Sequence, residues 1–97
     1  MIVYGNRSKK QTGITFPQME CWSPMTEMAT FAADLNGDRI MCRVESQALA
    51  SLRPQCSEDP MQALAASRSE LQSIARRLIE RERFEEDGSI LIRATDV

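Results

Sequence analysis

The longest sustained apolar repeat in the chain runs from Asp59 to about Arg83. Leu64, Leu71, Ala75 and Leu78 fall in a narrow sector at ~100° per residue, and Met61, Ile74 and Ile79 widen that sector to a core-facing stripe. The pattern predicts one long amphipathic helix near 60–84. Asp59 is a favourable N-cap, Pro60 suits the first helical position, and Gln62 stands where a capping box places its second member. After the charges from Arg81 to Asp87, Gly88 supplies the residue that most easily turns the chain left-handed.

A second pattern has period two. Asn36-Gly37 is the preferred pair for a two-residue type I′ turn, and it separates two alternating runs near 28–35 and 39–44. With Leu35 and Asp38 flanking the turn, Ala33 lies opposite Ile40, Phe31 opposite Cys42 and Ala29 opposite Val44, which makes one apolar face. The other face pairs Thr30 with Arg43, Ala32 with Met41 and Asp34 with Arg39, the last an opposite-charge pair of about 0.2–1 kcal/mol. The long helix is expected to lie on the face of Phe31, Ile40, Cys42 and Val44.

The remaining elements are shorter. Ile14-Thr15-Phe16, closed by Pro17, reads as an edge strand. Gln18 to Pro24 reads as a loop pinned by the ring of Trp22, a structural anchor. Ser46 can cap a short helix near 46–53 that Pro54 stops, and Ser89-Ile90-Leu91-Ile92-Arg93 reads as a closing strand that joins the hairpin. Residues 1–13 read as a flexible basic N-terminal tail carrying Arg7, Lys9 and Lys10, with a weak strand at 2–4. Residues 14–97 then form a single α+β domain, with a small, mainly antiparallel sheet and one short and one long helix packed on one face.

Composition narrows the function classes. A chain of 97 residues makes one domain with one modest core. The formal charge of -2 argues against a general binder of nucleic acid or acidic membrane. No apolar run approaches the ~20 residues that span a bilayer. The first residues lack a signal-peptide core, and Cys21, Cys42 and Cys56 have no C-x-x-C spacing, so a cytoplasmic protein with reduced thiols and no membrane contact is expected. Histidine is absent, which removes the commonest general base and the commonest transition-metal ligand together.

The order Ile14-Thr15-Phe16-Pro17, Trp22, Phe31, Leu35-Asn36-Gly37, Ile40, Cys42, Ala48-Leu49, Arg68 and Asp87-Gly88-Ser89-Ile90 resembles the domain-of-unknown-function 1488 family of short bacterial proteins. The resemblance covers roughly residues 14 to 93. Two positions depart from it. Ser23 follows Trp22 where such proteins often have an acidic residue, and Ala65-Ala66 stands where an aromatic is expected. The resemblance implies an α+β fold with a small sheet and no established activity.

The candidate sites are few. Arg68 falls among Leu64, Leu71 and Ala75, and a guanidinium there needs a partner; Asp34 and Glu45 are the nearest acidic candidates. Arg76, Arg77, Arg81 and Arg83 can contact phosphates or a partner, but Glu80, Glu82, Glu85 and Glu86 are interleaved with them, and Arg76 with Glu80 and Glu80 with Arg83 have salt-bridge spacing. Neither a nucleotide-binding nor a nucleophile-elbow motif occurs, and three dispersed thiols make no zinc site. No cofactor and no catalytic residue is expected. The reading is a small non-enzymatic protein-interaction or regulatory module that pairs with an unknown protein or with itself as a homodimer. Met19, Met25, Met28 and Met41 around the hairpin motivate it, because methionine suits adaptable contacts. The alternative is a nucleic-acid-associated regulator that uses the basic tail and the helix arginines.

Overall fold

Two eight-residue strands, β3 (Met28–Leu35) and β4 (Asp38–Glu45), form the spine of the protein. Asn36 and Gly37, with φ of 53° and 93°, supply the two left-handed residues that a type I′ turn needs. The register is the expected one, with Phe31 opposite Cys42, Ala33 opposite Ile40 and Asp34 opposite Arg39. The last pair closes at 2.6 Å between Arg39 Nε and Asp34 Oδ1. The structure is a computed structural model and describes residues 13–56 and 58–97. The expected tail, all but Gly13, and the strand at 2–4 lie outside the described residues.

Both β1 (Ile14–Thr15) and β2 (Glu20–Ser23) pair antiparallel with β3, β1 beside its last residues and β2 beside its first. The interruption between them follows from Pro17, which has no N–H for a ladder, while Met19 N–H turns back to the Pro17 carbonyl at 2.9 Å. The expected loop at 18–24 is therefore corrected: its last part is a strand. Glu20-Cys21-Trp22-Ser23 has too mixed a pattern to read as one, and pairing with β3 supplies what its own composition does not.

From β4 the chain crosses over through three helices, α1 (Ser46–Leu52), α2 (Pro60–Ala66) and α3 (Arg68–Glu80), and returns as β5 (Ile90–Ile92) parallel to β4. Glu45, with no side-chain cap bond, precedes α1 in place of the expected Ser46 cap. Asp59 caps α2 as expected, its Oδ1 accepting from Gln62 N–H at 3.1 Å. The single long helix is corrected in two ways. It bends at Ser67 (φ -105°, ψ 12°), which separates α2 from α3. It also ends earlier, at Glu80, where Arg83 N–H reaches Leu78 O and Glu82 N–H reaches Ile79 O with Glu82 left-handed at φ 56°. That is a Schellman motif, and it satisfies the last carbonyls at Glu82, well before Gly88, the expected left-handed stop. Gly88, at φ 86°, instead turns the chain into β5.

One core joins these elements. Phe31, Cys42, Val44, Ile90 and Ile92 from the sheet meet Leu49, Leu64, Leu71, Ala75 and Leu78 from the helices, all buried. The helices therefore cover one face of the sheet, and Cys42 is wholly enclosed in that core.

Candidate functional site

At the end of the sheet away from the Asn36-Gly37 turn, β2 runs into β3 through a tight, well-tied turn. Glu27 N–H donates to the Ser23 carbonyl at 2.8 Å, and Glu27 itself is left-handed at φ 55°. A left-handed glutamate is uncommon and costs on the order of 1 kcal/mol, so the turn is held in this shape by its neighbours. At its tip Met25 is 94% exposed. A lone exposed apolar side chain is ordinary. This one, however, is displayed on a constrained turn beside a cleft.

The cleft measures about 320 Å³ and is lined by Trp22, Glu27, Ser46, Leu49, Ala50, Cys56, Pro60 and Ala63. Strand pairing opposite Ala29 puts Trp22 on the helix-covered face, where it is half-buried against the core. The walls are mainly apolar, and the volume is at the lower end of the ~300–1,000 Å³ that small ligands occupy. That is room for one side chain or a small apolar group rather than for a folded peptide. Among the described residues no group of histidine, cysteine, aspartate and glutamate side chains is arranged to hold a metal ion. Among them, too, no helix is long and apolar enough to cross a membrane.

The arginines singled out in the sequence do not meet. Arg68 is exposed rather than inside the stripe, because Ser67 takes the buried position between Leu64 and Leu71. Its partner is Glu20, not Asp34 or Glu45: Arg68 Nε donates to Glu20 Oε2 at 2.6 Å and NH2 to Oε1 at 2.8 Å. This paired hydrogen bond holds the Glu20 carboxyl below the ordinary carboxylate range against a smaller desolvation effect. Arg76 stands 5.6 Å from the centroid of the Phe16 ring, a cation–π contact. Arg77 NH2 donates to the Asp96 carbonyl at 3.0 Å, and Arg81 is exposed at the helix end. The expected Glu80–Arg83 pair does not form, since the helix has ended before Arg83. Glu70 is engaged instead by Arg53, whose NH2 lies 3.0 and 2.9 Å from its two oxygens and ties the end of α1 to α3.

Sequence reasoning missed the cleft, because its walls come from β2, α1 and α2 and no local repeat relates them. In the sequence Met25 is one methionine among Met19, Met28 and Met41, and their pattern does not single it out. The signal that could have raised it is the Ser23-Pro24 pair before it, which favours a turn and so an exposed tip.

A family model described as a protein of unknown function (DUF1488) matches residues 14–92. A crystal structure of a protein of unknown function from the DUF1488 family of Shewanella loihica PV-4 is similar at a TM-score of 0.76 and 25% identity, over 88% of this chain and 96% of that one. No curated protein gives a match.

Proposed function

The chain belongs to the DUF1488 family, a family described as a protein of unknown function, and on that footing we propose that it is a non-catalytic interaction module that pairs with a second copy of itself. The observation that carries this reading is the placement of Met25, 94% exposed, beside an apolar cleft of about 320 Å³ that shares the residue Glu27 with the same turn. A protruding apolar group and a cavity on one patch are what a two-fold interface requires, since each copy must offer both halves of the contact. Each inserted methionine would contribute about 1.5–3 kcal/mol of burial. Two of them barely offset an association cost of at least about 4 kcal/mol, so the pair is expected to be weak and reversible unless the surrounding surface adds contact.

The nucleic-acid alternative has less support, because Arg68, Arg76 and Arg77 already hold protein partners. The three cysteines are free thiols, which suits the reducing, cytoplasmic setting we propose.

Analytical ultracentrifugation over a wide concentration range tests the reading. The wild-type chain should move toward dimer as concentration rises, and Met25→Asp should remain monomeric with an unchanged melting temperature, since an exposed turn tip contributes within about 0.5 kcal/mol to folding. A wild-type chain that stays monomeric throughout, or a Met25→Asp variant that dimerises equally well, would overturn it.

A further inference from the structure

The face of the sheet turned away from the helices carries a second feature, independent of the Trp22 end. Arg43, on β4, points to that face with Thr30 and Met41, by the alternation that sends Cys42 and Val44 into the core. Its Nε and NH2 both donate to Ser89 Oγ, at 3.2 and 3.1 Å. Ser89 is nearly buried, and its own hydroxyl proton goes to Asp87 Oδ1 at 2.6 Å, while its backbone N–H donates to the same oxygen at 2.9 Å. The serine oxygen is thus committed as an acceptor, and the guanidinium is held in one orientation by residues 46 positions away.

A guanidinium has five N–H donors. Two of Arg43's are directed at Ser89, and among the described residues no carboxylate comes within 4.0 Å of it, unlike Arg39, Arg53, Arg68 and Arg93. Among the described residues the remaining donors have no protein acceptor. Around them lies a groove of about 360 Å³ lined by Thr30, Arg39, Met41, Arg43 and the turn 87–89. Arg39 on its rim is already neutralised by Asp34.

We propose that this groove binds a carboxylate group, with Arg43 as its anchor and Ser89 as the residue that positions the guanidinium. A single carboxylate matches the fork of an arginine in two parallel hydrogen bonds. Asp87 decides against a phosphate. The hydrogen bonds from Ser89, with a smaller contribution from the charge of Arg43, hold its carboxyl below the ordinary range; this carboxylate lines the groove, so a doubly charged anion there meets more repulsion than a singly charged one. The Thr30 hydroxyl and the Met41 thioether give the rest of a small acid or a peptide terminus something to rest on.

The test is a titration of the full 97-residue chain, isotopically labelled for NMR, with acetate, inorganic phosphate and chloride at matched ionic strength. Acetate should shift the Arg43 Nε–H and the Ser89 and Gly88 amide resonances along a saturating curve, with phosphate binding more weakly. Arg43→Gln should weaken acetate binding at least about 10-fold, as loss of a charge-assisted contact implies. Should that variant not fold, Arg43→Lys, which keeps the charge and loses the fork, should still bind more weakly than wild type. Ser89→Ala should lower affinity while leaving the melting profile cooperative. An acetylated tripeptide with a free C-terminus, compared with its amide, separates the sources: tighter binding of the free acid than of acetate identifies a peptide terminus, and equal binding identifies small free acids. Shifts that grow linearly and match chloride, a phosphate affinity above that of acetate, or unchanged saturation in the Arg43 variants would overturn the proposal.

Discussion

Glu20 and Arg68 are 48 residues apart in sequence and meet in a bidentate contact. Half of the Arg68 side chain is open to solvent, 48%, against 20% for Glu20, so the pair is screened by water and contributes far less than a buried ion pair would. Glu20 has its carboxyl held low in the folded chain, chiefly by the hydrogen bond from Arg68. A depressed carboxyl stabilises the fold above its unfolded-state value and loses that contribution as pH falls through the lower, folded value. Wild type should therefore be more stable than Glu20→Gln near neutral pH, with the gap closing below the ordinary carboxylate range. Urea denaturation of both proteins across that range checks this. A gap independent of pH would show that the carboxylate charge contributes nothing.

The bend between α2 and α3 is centred on Ser67, which is fully enclosed and whose hydroxyl has no hydrogen-bond partner among the described residues. A buried hydroxyl without a partner costs about 1–3 kcal/mol, and serine is also a poorer helix former than alanine. Ser67→Ala removes both costs and should stabilise the chain by about 1 kcal/mol, raising the thermal midpoint by roughly 4–8 °C for a domain of this size. A lower midpoint would mean that the hydroxyl holds a bound water the helices need. The neighbouring helix end behaves differently, because the Schellman hydrogen bonds to Leu78 and Ile79 are made by backbone and close the helix without help from a side chain.

At the scale of the whole molecule, Cys42 reports on the core. It lies at the middle of the sheet between Phe31 and Ile90, is fully enclosed, and burial pushes its thiol up to about 12. Cys21 faces the opposite side of the sheet and is exposed. A thiol-specific disulfide reagent should therefore modify Cys21 promptly and Cys42 only through global opening, slower by about 10³-fold or more for a fold of ordinary stability. Mass spectrometry of partly labelled protein separates the two. Equal rates would mean that the sheet opens locally beside Phe31.

Much of this fold was legible because it is written in short-range periodicity. The alternation from Met28 to Glu45 and the Asn36-Gly37 pair specify the hairpin and its register, since a slip by one residue would turn Phe31, Cys42 and Val44 outward. The stripe from Leu64 to Leu78 and the cap at Asp59 specify helix in the same way. The strand at Glu20–Ser23 was not legible, because it exists through pairing with β3 rather than through its own pattern. Nor was the bend at Ser67, since the helical phase of the buried positions Ala63, Leu64, Ser67 and Leu71 runs through it unbroken. The same phase misplaced Arg68, which stands at the edge of the stripe and turns outward to Glu20. The Trp22 cleft and the Arg43–Ser89–Asp87 relay were invisible for one physical reason. Each depends on side chains brought from separate elements, and hydrophobic patterning states which face of an element is buried but not which neighbour it will meet.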